Sequence, residues 1–372
     1  MPGNYFYKRI HMKLTITFLF IFGLSTAGYS QMKTIAAPEL LPYGRAVVND
    51  QKQLELVGSA VNFAIAFEGR ECLVYASFPD RKSHNYLQYE LDGVYQKRIL
   101  ISGDSNAPVT ISATGPGKHT LRIYKATEAH TGPIMITKVV ANKAHPLANP
   151  VSPLIEFIGN SITCGAAADP SEVPCGTGVY HDQHNAYMAY GPRLARSLKV
   201  NFMLTSVSGI GAYRNWNSDG PAMPQVFEKL DFQERGTRMW NFKTYRPKIV
   251  SIALGTNDLS NGDGKTPRKA FDAAAFIDSY VKFVQLVKSK YPDAQIALLS
   301  SPMVKGASRE VLQNSLTTIK EKIDGLFPAD KPVAMFFFEP MDPHGCSGHP
   351  DVNDHRILAA QLNPFFANLL RN

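Results

Sequence analysis

Ser161, Asn257 and His349 stand in three short strings far apart in the chain: GNSIT at 159–163, GTND at 255–258, and HP at 349–350. A serine hydroxyl, a carboxamide able to polarise a carbonyl and a late imidazole are the parts that acyl transfer needs. Each residue type is common, so no string alone identifies a site. Their order, and the elements that would carry them, decide more.

The run Leu154-Ile155-Glu156-Phe157-Ile158, with Pro153 before and Gly159 after, reads as a strand, and Ser161 falls just past its end. The run Ile249-Val250-Ser251-Ile252-Ala253-Leu254 does the same for Asn257. In an open parallel sheet such strand ends meet at the ligand crevice, so the two residues are expected on one rim.

These blocks resemble the SGNH (GDSL-like) hydrolases. GNSITCG matches their nucleophile block, with Asn160 where that family usually has Asp, and Ser208-Gly209 in SVSGIGAYRN matches the glycine block. GTND and HPDVNDH match the third and fourth blocks. A nearer resemblance is to carbohydrate esterase family 2, acetylesterases in which a β-sandwich precedes the SGNH domain. It is carried by IEFIGNSITCG, SGIGAYRN, Trp240-Asn241-Phe242, RPKIVSIALGTND and GCSGHP, and the front half is matched by layout more than by motif.

Ser161 is the expected nucleophile, with helix N-capping as its competing role. His349 is the expected general base, its backbone held extended by Pro350. The amides of Ser161 and Gly209 and the side chain of Asn257 are the expected oxyanion hole, Gly211 being the other glycine candidate. The orienting acid is missing from its usual place: three residues before His349 stands Cys346. The esterase resemblance implies a Ser-His dyad in which a main-chain carbonyl orients the imidazole; Asp342 is the alternative. Tyr213, Arg214, Asn215, Trp216 and Trp240 are candidate sugar contacts. The crowd of Asp342, His344, His349, Asp351, Asp354 and His355 matches no metal-ligand spacing, and the first turn of a helix accounts for the acids, so neither metal nor cofactor is expected. GPGK at 115–118 and GDGK at 262–265 lack the spacing of a phosphate loop and read as turns.

At 372 residues, two domains are expected. Residues 1–30 read as a secretory signal, with Met12 as an alternative start and an apolar run too short for a membrane span. The net charge of +8 includes Lys8, Arg9 and Lys13 of that segment, and no dense basic run remains to suggest nucleic acid. An exported, periplasmic or extracellular protein could pair its cysteines. Cys164 with Cys175 is one pairing and buried free thiols the other reading, with Cys72 and Cys346 lacking obvious partners.

Short β-forming segments punctuated by Gly, Asp, Asn and Pro place a β-sandwich, a jelly roll, at 31–145, then a proline-rich linker at 146–153. Over 154–372, strand-like runs at Ile155, Phe202, Ile249, Ile296 and Val333 alternate with apolar helical stripes, which predicts a three-layer α/β/α domain on a parallel sheet. The expected activity is removal of O-acetyl groups from xylan- or mannan-type carbohydrate through an acetyl-enzyme. An SGNH esterase or lipase for other esters, and an inactive carbohydrate-binding protein, are the alternatives.

Overall fold

The computed structural model describes residues 1–4, 32–103 and 107–371, so the secretory segment expected at 1–30 lies almost wholly outside the described residues. Residues 1–4 have no regular secondary structure.

Alternation of apolar and polar side chains builds the first half. In β8 (Lys118–Lys125), His119, Leu121 and Ile123 are buried while Lys118 and Thr120 face solvent. The other strands are β1 (Met32–Ala36), β2 (Ala46–Val48), β3 (Leu54–Leu56), β4 (Asn62–Ser77), β5 (His84–Leu91), β6 (Val94–Ser102), β7 (Val109–Ser112) and β9 (Ile134–Leu147). They form an antiparallel sheet in the order β2-β3-β9-β4-β8-β5-β6, with β1 added on β9 and β7 on β4. Two short β-forming runs, 61–67 and 72–78, stand in the sequence with Glu68-Gly69-Arg70-Glu71 between them. β4 runs through both, pairing with β8 over 62–68 and with β7 over 71–74, while its register against β9 shifts between Ala66 and Cys72.

The second half begins at β10 (Leu154–Gly159), followed by β11 (Asn201–Ser206), β12 (Ile249–Ala253), β13 (Gln295–Leu299) and β14 (Ala334–Phe336). All pair parallel in the order β11-β10-β12-β13-β14. Both faces are covered, which is why these strands are nearly all apolar. One face packs on α2 (Tyr190–Leu198) and α7 (Val352–Arg371) through Phe157, Leu194, Leu358 and Phe366. The other packs on α5 (Ala273–Lys290) and α6 (Gly306–Leu326) through Ile252, Phe276, Tyr280 and Leu316. Fully burying each such side chain contributes about 1.5–3 kcal/mol.

Strand order reverses at β10, which has β11 on one side and β12 on the other. This is the switch point where open α/β sheets hold ligands, and the segments after β10 and β12 are those carrying Ser161 and Asn257. The two halves also interlock. Arg45 from the front half is fully buried, donates to the carbonyls of Lys229 (2.6 Å) and Phe227 (2.9 Å), and lies 4.3 Å from the Phe232 ring centre. Among the described residues no helix is long and apolar enough to cross a membrane.

Candidate active site

β10 runs into the four-residue helix α1 (Ser161–Cys164) through Gly159 and Asn160. A Cβ on Gly159 would lie 2.1 Å from Thr163 Oγ1, so only glycine permits so tight an entry. Asn160 caps the helix, its Oδ1 accepting from the Ile162 amide at 3.1 Å. The capping job therefore belongs to residue 160, which leaves the Ser161 hydroxyl at the first helical position for other work.

That hydroxyl lies 2.9 Å from His349 Nε2. His349 precedes Pro350 with extended backbone (φ −100°, ψ 160°), as expected before proline. Its Nδ1 lies 3.1 Å from the Ser347 carbonyl, which can only accept, so Nδ1 bears the proton and Nε2 presents its lone pair to Ser161. Left-handed backbone at Ser347 (φ +52°) turns that carbonyl toward the ring, a strained conformation of the kind that gathers at functional sites. Burial pushes the His349 pKa below the usual histidine value, and the Ser347 carbonyl partly offsets this.

Asp342 is not the orienting acid. Its side chain is 90% exposed and is held by Lys305 instead. Asp342→Ala is expected to keep kcat within about threefold, because an exposed ion pair contributes little. A loss matching that of a serine variant in acetate-release kinetics would restore a triad.

Asn257 is the second residue of its helix, α4 (Thr256–Leu259), after a short α3 (Met223–Val226) earlier in the chain. It is 7% exposed, and its Nδ2 donates to the Ile210 carbonyl at 2.7 Å. Its neighbour Asp258 accepts from the amides of Ala212, Tyr213 and Arg214 at 2.8–3.1 Å. GTND thus fastens the glycine loop to the end of β12. Gly209, at φ +76°, has an amide with no acceptor among the described residues. Gly211 is a turn glycine: its amide goes to Asn215 Oδ1, and a Cβ there would lie 2.0 Å from the Arg214 carbonyl.

Of the expected sugar contacts, Trp216 alone is well exposed, at 44%, on the wall of a 740 Å³ cleft that it shares with Ser208, Gly209, His130 and Phe232. Trp240 is 8% exposed, stacked on Tyr245 beside the buried Arg45, and is core rather than platform. Asn215 borders the cleft, yet its carboxamide is consumed by Gly211, Gly220 and Pro221. Arg214 donates to the carbonyls of Asp258 and Lys269, and Tyr213 packs against Phe271. These four residues shape the loop through core and backbone contacts, which motif proximity does not reveal.

The cysteine pairing also differs from expectation. Cys175 is bridged to Cys346, with Cα atoms 5.1 Å apart, while Cys164 and Cys72 are buried free thiols. A bridge spanning 171 residues of chain contributes about 5 kcal/mol in the chain-entropy account. It ties the loop before Tyr180 to the turn carrying His349. Tyr180, which lies in none of the motifs, places its hydroxyl 3.4 Å from both His349 Nε2 and Ser208 Oγ. No local pattern marks it, since only the fold brings it there.

Asp351 and Asp354 exchange backbone contacts at the start of α7, Asp354 also binds His344, and His355 Nδ1 accepts from the Tyr190 amide. Those residues are structural. The described residues hold a different group, His84, His181 and Asp182, whose candidate ligand atoms lie within 4.8 Å of one another. They already bond to one another, to Tyr86 and to backbone.

Comparison with known proteins finds matches in both halves of the chain. Residues 43–150 match the carbohydrate esterase 2 N-terminal family, and residues 157–325 match the GDSL-like lipase/acylhydrolase family. An acetylxylan esterase / glucomannan deacetylase of Cellvibrio japonicus is 28% identical over 82% of this chain and 82% of its own length. The cellulase/esterase CelE of Acetivibrio thermocellus is 26% identical over 90% of this chain, which spans 40% of that longer protein. The structure of a family two carbohydrate esterase from Clostridium thermocellum in complex with cellohexaose superposes with a TM-score of 0.77 at 26% identity, over 89% of this chain and 99% of that one. A GDSL-like lipase/acylhydrolase domain behind a carbohydrate esterase 2 N-terminal domain, with family two carbohydrate esterases as relatives across both, makes this chain a carboxylic ester hydrolase.

Proposed function

We propose that the protein is an exported O-acetylesterase that deacetylates xylan- or mannan-type polysaccharide or its oligosaccharides through an acetyl-enzyme on Ser161. The observation that carries this reading is the 2.9 Å contact between Ser161 Oγ and a His349 whose other nitrogen is fixed by a carbonyl. Ser161 Oγ attacks the acetyl carbonyl carbon as its proton passes to His349 Nε2. The amides of Ser161 and Gly209 and the second N–H of Asn257 receive the oxyanion. The tetrahedral intermediate collapses, the sugar C–O–acyl bond breaks at the acyl carbon, and His349 returns the proton to the departing sugar oxygen. Water, deprotonated by the same imidazole, then releases acetate and restores the serine.

Trp216 beside the cleft offers an aromatic face to a sugar ring, and the relatives' names support acetylated xylan and glucomannan as substrates. The Cys175–Cys346 bridge favours an oxidising compartment, in keeping with the secretory segment read at 1–30. The test is acetate release from acetylated xylan, acetylated glucomannan and 4-nitrophenyl esters of increasing chain length. Acetate is expected from the polysaccharides, with nitrophenyl acetate cleaved at least tenfold faster than octanoate. A preference for the long acyl chain would make the enzyme lipase-like and sink the proposal.

A further inference from the structure

The dyad has no carboxylate at its histidine, yet a buried carboxylate lies beneath the site, and it comes from the other half of the chain. Glu128 sits at the start of the short turn after β8, is 4% exposed, and has no part in the reaction as written above. Its Oε2 accepts from the Ser208 amide at 2.5 Å and from the Cys164 thiol at 3.4 Å. Its Oε1 lies 3.8 Å from Nε2 of the fully buried His184. His184 Nδ1 accepts from the Ala167 amide, so the ring turns its N–H toward the carboxylate. Tyr180 stands edge-on to His184, with ring centres 4.8 Å apart, and its hydroxyl reaches His349 Nε2. Lys125, also fully buried, holds the Glu128 main-chain carbonyl, and Thr131 donates to the same carbonyl. The side chain is thus built in from both ends.

We propose that Glu128 is a positioning residue for ester hydrolysis, supplied by the front domain: its carboxylate fixes the Ser208-Gly209 loop in oxyanion-binding geometry and places behind His349 the negative charge that the missing acid would otherwise give. Its placement acts in two ways. The Ser208 amide, held by an ionised acceptor, fixes the peptide next to Gly209, whose own amide is free to donate. The charge also favours the imidazolium that forms as Ser161 loses its proton. Its field at His349 acts through His184 and Tyr180 and alongside the other groups facing this pocket, namely Lys125, His130, Cys164 and His355. Charge-assisted contacts hold Glu128 ionised, its pKa brought down to about 2 against the effect of burial, chiefly by His184 and the Ser208 amide. The front domain is then part of the active site, whatever else it does with carbohydrate.

The inference rests on the esterase reading, so the wild-type enzyme must first hydrolyse 4-nitrophenyl acetate; if it does not, that reading fails before this one is tested. In the full chain, Glu128→Gln keeps the shape and removes the charge. It is expected to lower kcat about ten- to a hundredfold with KM within about twofold, and to move the acid limb of kcat/KM to lower pH, because His349 loses a stabiliser of its protonated form. Glu128→Asp keeps the charge but withdraws it by one methylene, so the acid limb is expected near the wild-type position with kcat still reduced. A folded Gln variant with wild-type kcat and acid limb overturns the proposal. So does a loss that disappears when the assay is run well below the variant's melting temperature. Should the Gln variant fail to fold, an Asp variant with unreduced kcat is equally fatal.

Discussion

Ser161→Ala and His349→Ala are each expected to lower kcat for acetate release by about five orders of magnitude or more, with the fold intact. In the proposed reaction the serine supplies the atom that bonds to the acyl carbon, and the imidazole accepts and returns its proton, so neither would have a substitute. On that reading the two act as one unit across the 2.9 Å contact, and their losses should not add. The double variant should therefore be scarcely slower than either single variant. Ser161 is 7% exposed and makes its contact at the edge of a tight turn, so exchange for alanine costs little packing. Steady-state kinetics on 4-nitrophenyl acetate, with circular dichroism to check folding, decides the matter. Retention of even a tenth of wild-type kcat by either variant would move the reaction to another residue.

Asn257→Ala is the next largest effect expected, a fall in kcat of about a hundred- to a thousandfold with KM little changed. That is the loss of about 3 kcal/mol typical when one oxyanion donor is removed. An interaction made mainly in the transition state acts on kcat, because the ground-state carbonyl does not carry the charge that the donor meets. One N–H of the carboxamide is already given to the Ile210 carbonyl at 2.7 Å. That bond aims the other and braces the glycine loop, and Asp258 holds the amides of Ala212, Tyr213 and Arg214 in the same loop independently. The loop should consequently persist in the alanine variant. A rise in KM with unchanged kcat would assign Asn257 to substrate binding and remove it from the oxyanion hole.

The arrangement is economical in sequence terms because two of its parts sit where a parallel strand ends. β10 and β12 are legible as apolar runs bounded by turn residues, and the residues just past such a strand at a switch point are exposed to the crevice by the topology itself. That placement is what puts Ser161 and Asn257 on one rim. His349 needed Pro350, which biases its backbone locally. The helices were legible for a similar reason: Phe276, Tyr280, Phe283 and Val284 of α5 repeat at the helical period, and that period is a property of neighbours in the chain.

Where the sequence misled, the deciding contact came from far away. Trp240 stands next to a functional block in the chain, but Arg45, almost two hundred residues earlier, draws it into an aromatic core. Asn215 and Arg214 look like exposed polar contacts until the loop closes on Asp258 and Gly220 and takes their hydrogen bonds. Asp342 lies a plausible seven residues before His349, yet the chain turns it outward to Lys305.

The sequence by itself determined the two-domain plan of this protein, a front antiparallel domain and a parallel α/β domain, and singled out Ser161, Asn257 and His349 as the candidate site. Patterns of period 2 and 3.6, strand-end motifs and a proline after histidine are all short-range signals. Only the tertiary structure decided that Cys346 pairs with Cys175, that Ser347 rather than an acid orients His349, and that Tyr180 and Glu128 enter the site. Each is a meeting of segments that are distant in the chain or a turn of backbone set by such meetings. Their geometry comes from how segments of the two halves meet, and no local stretch of residues encodes that.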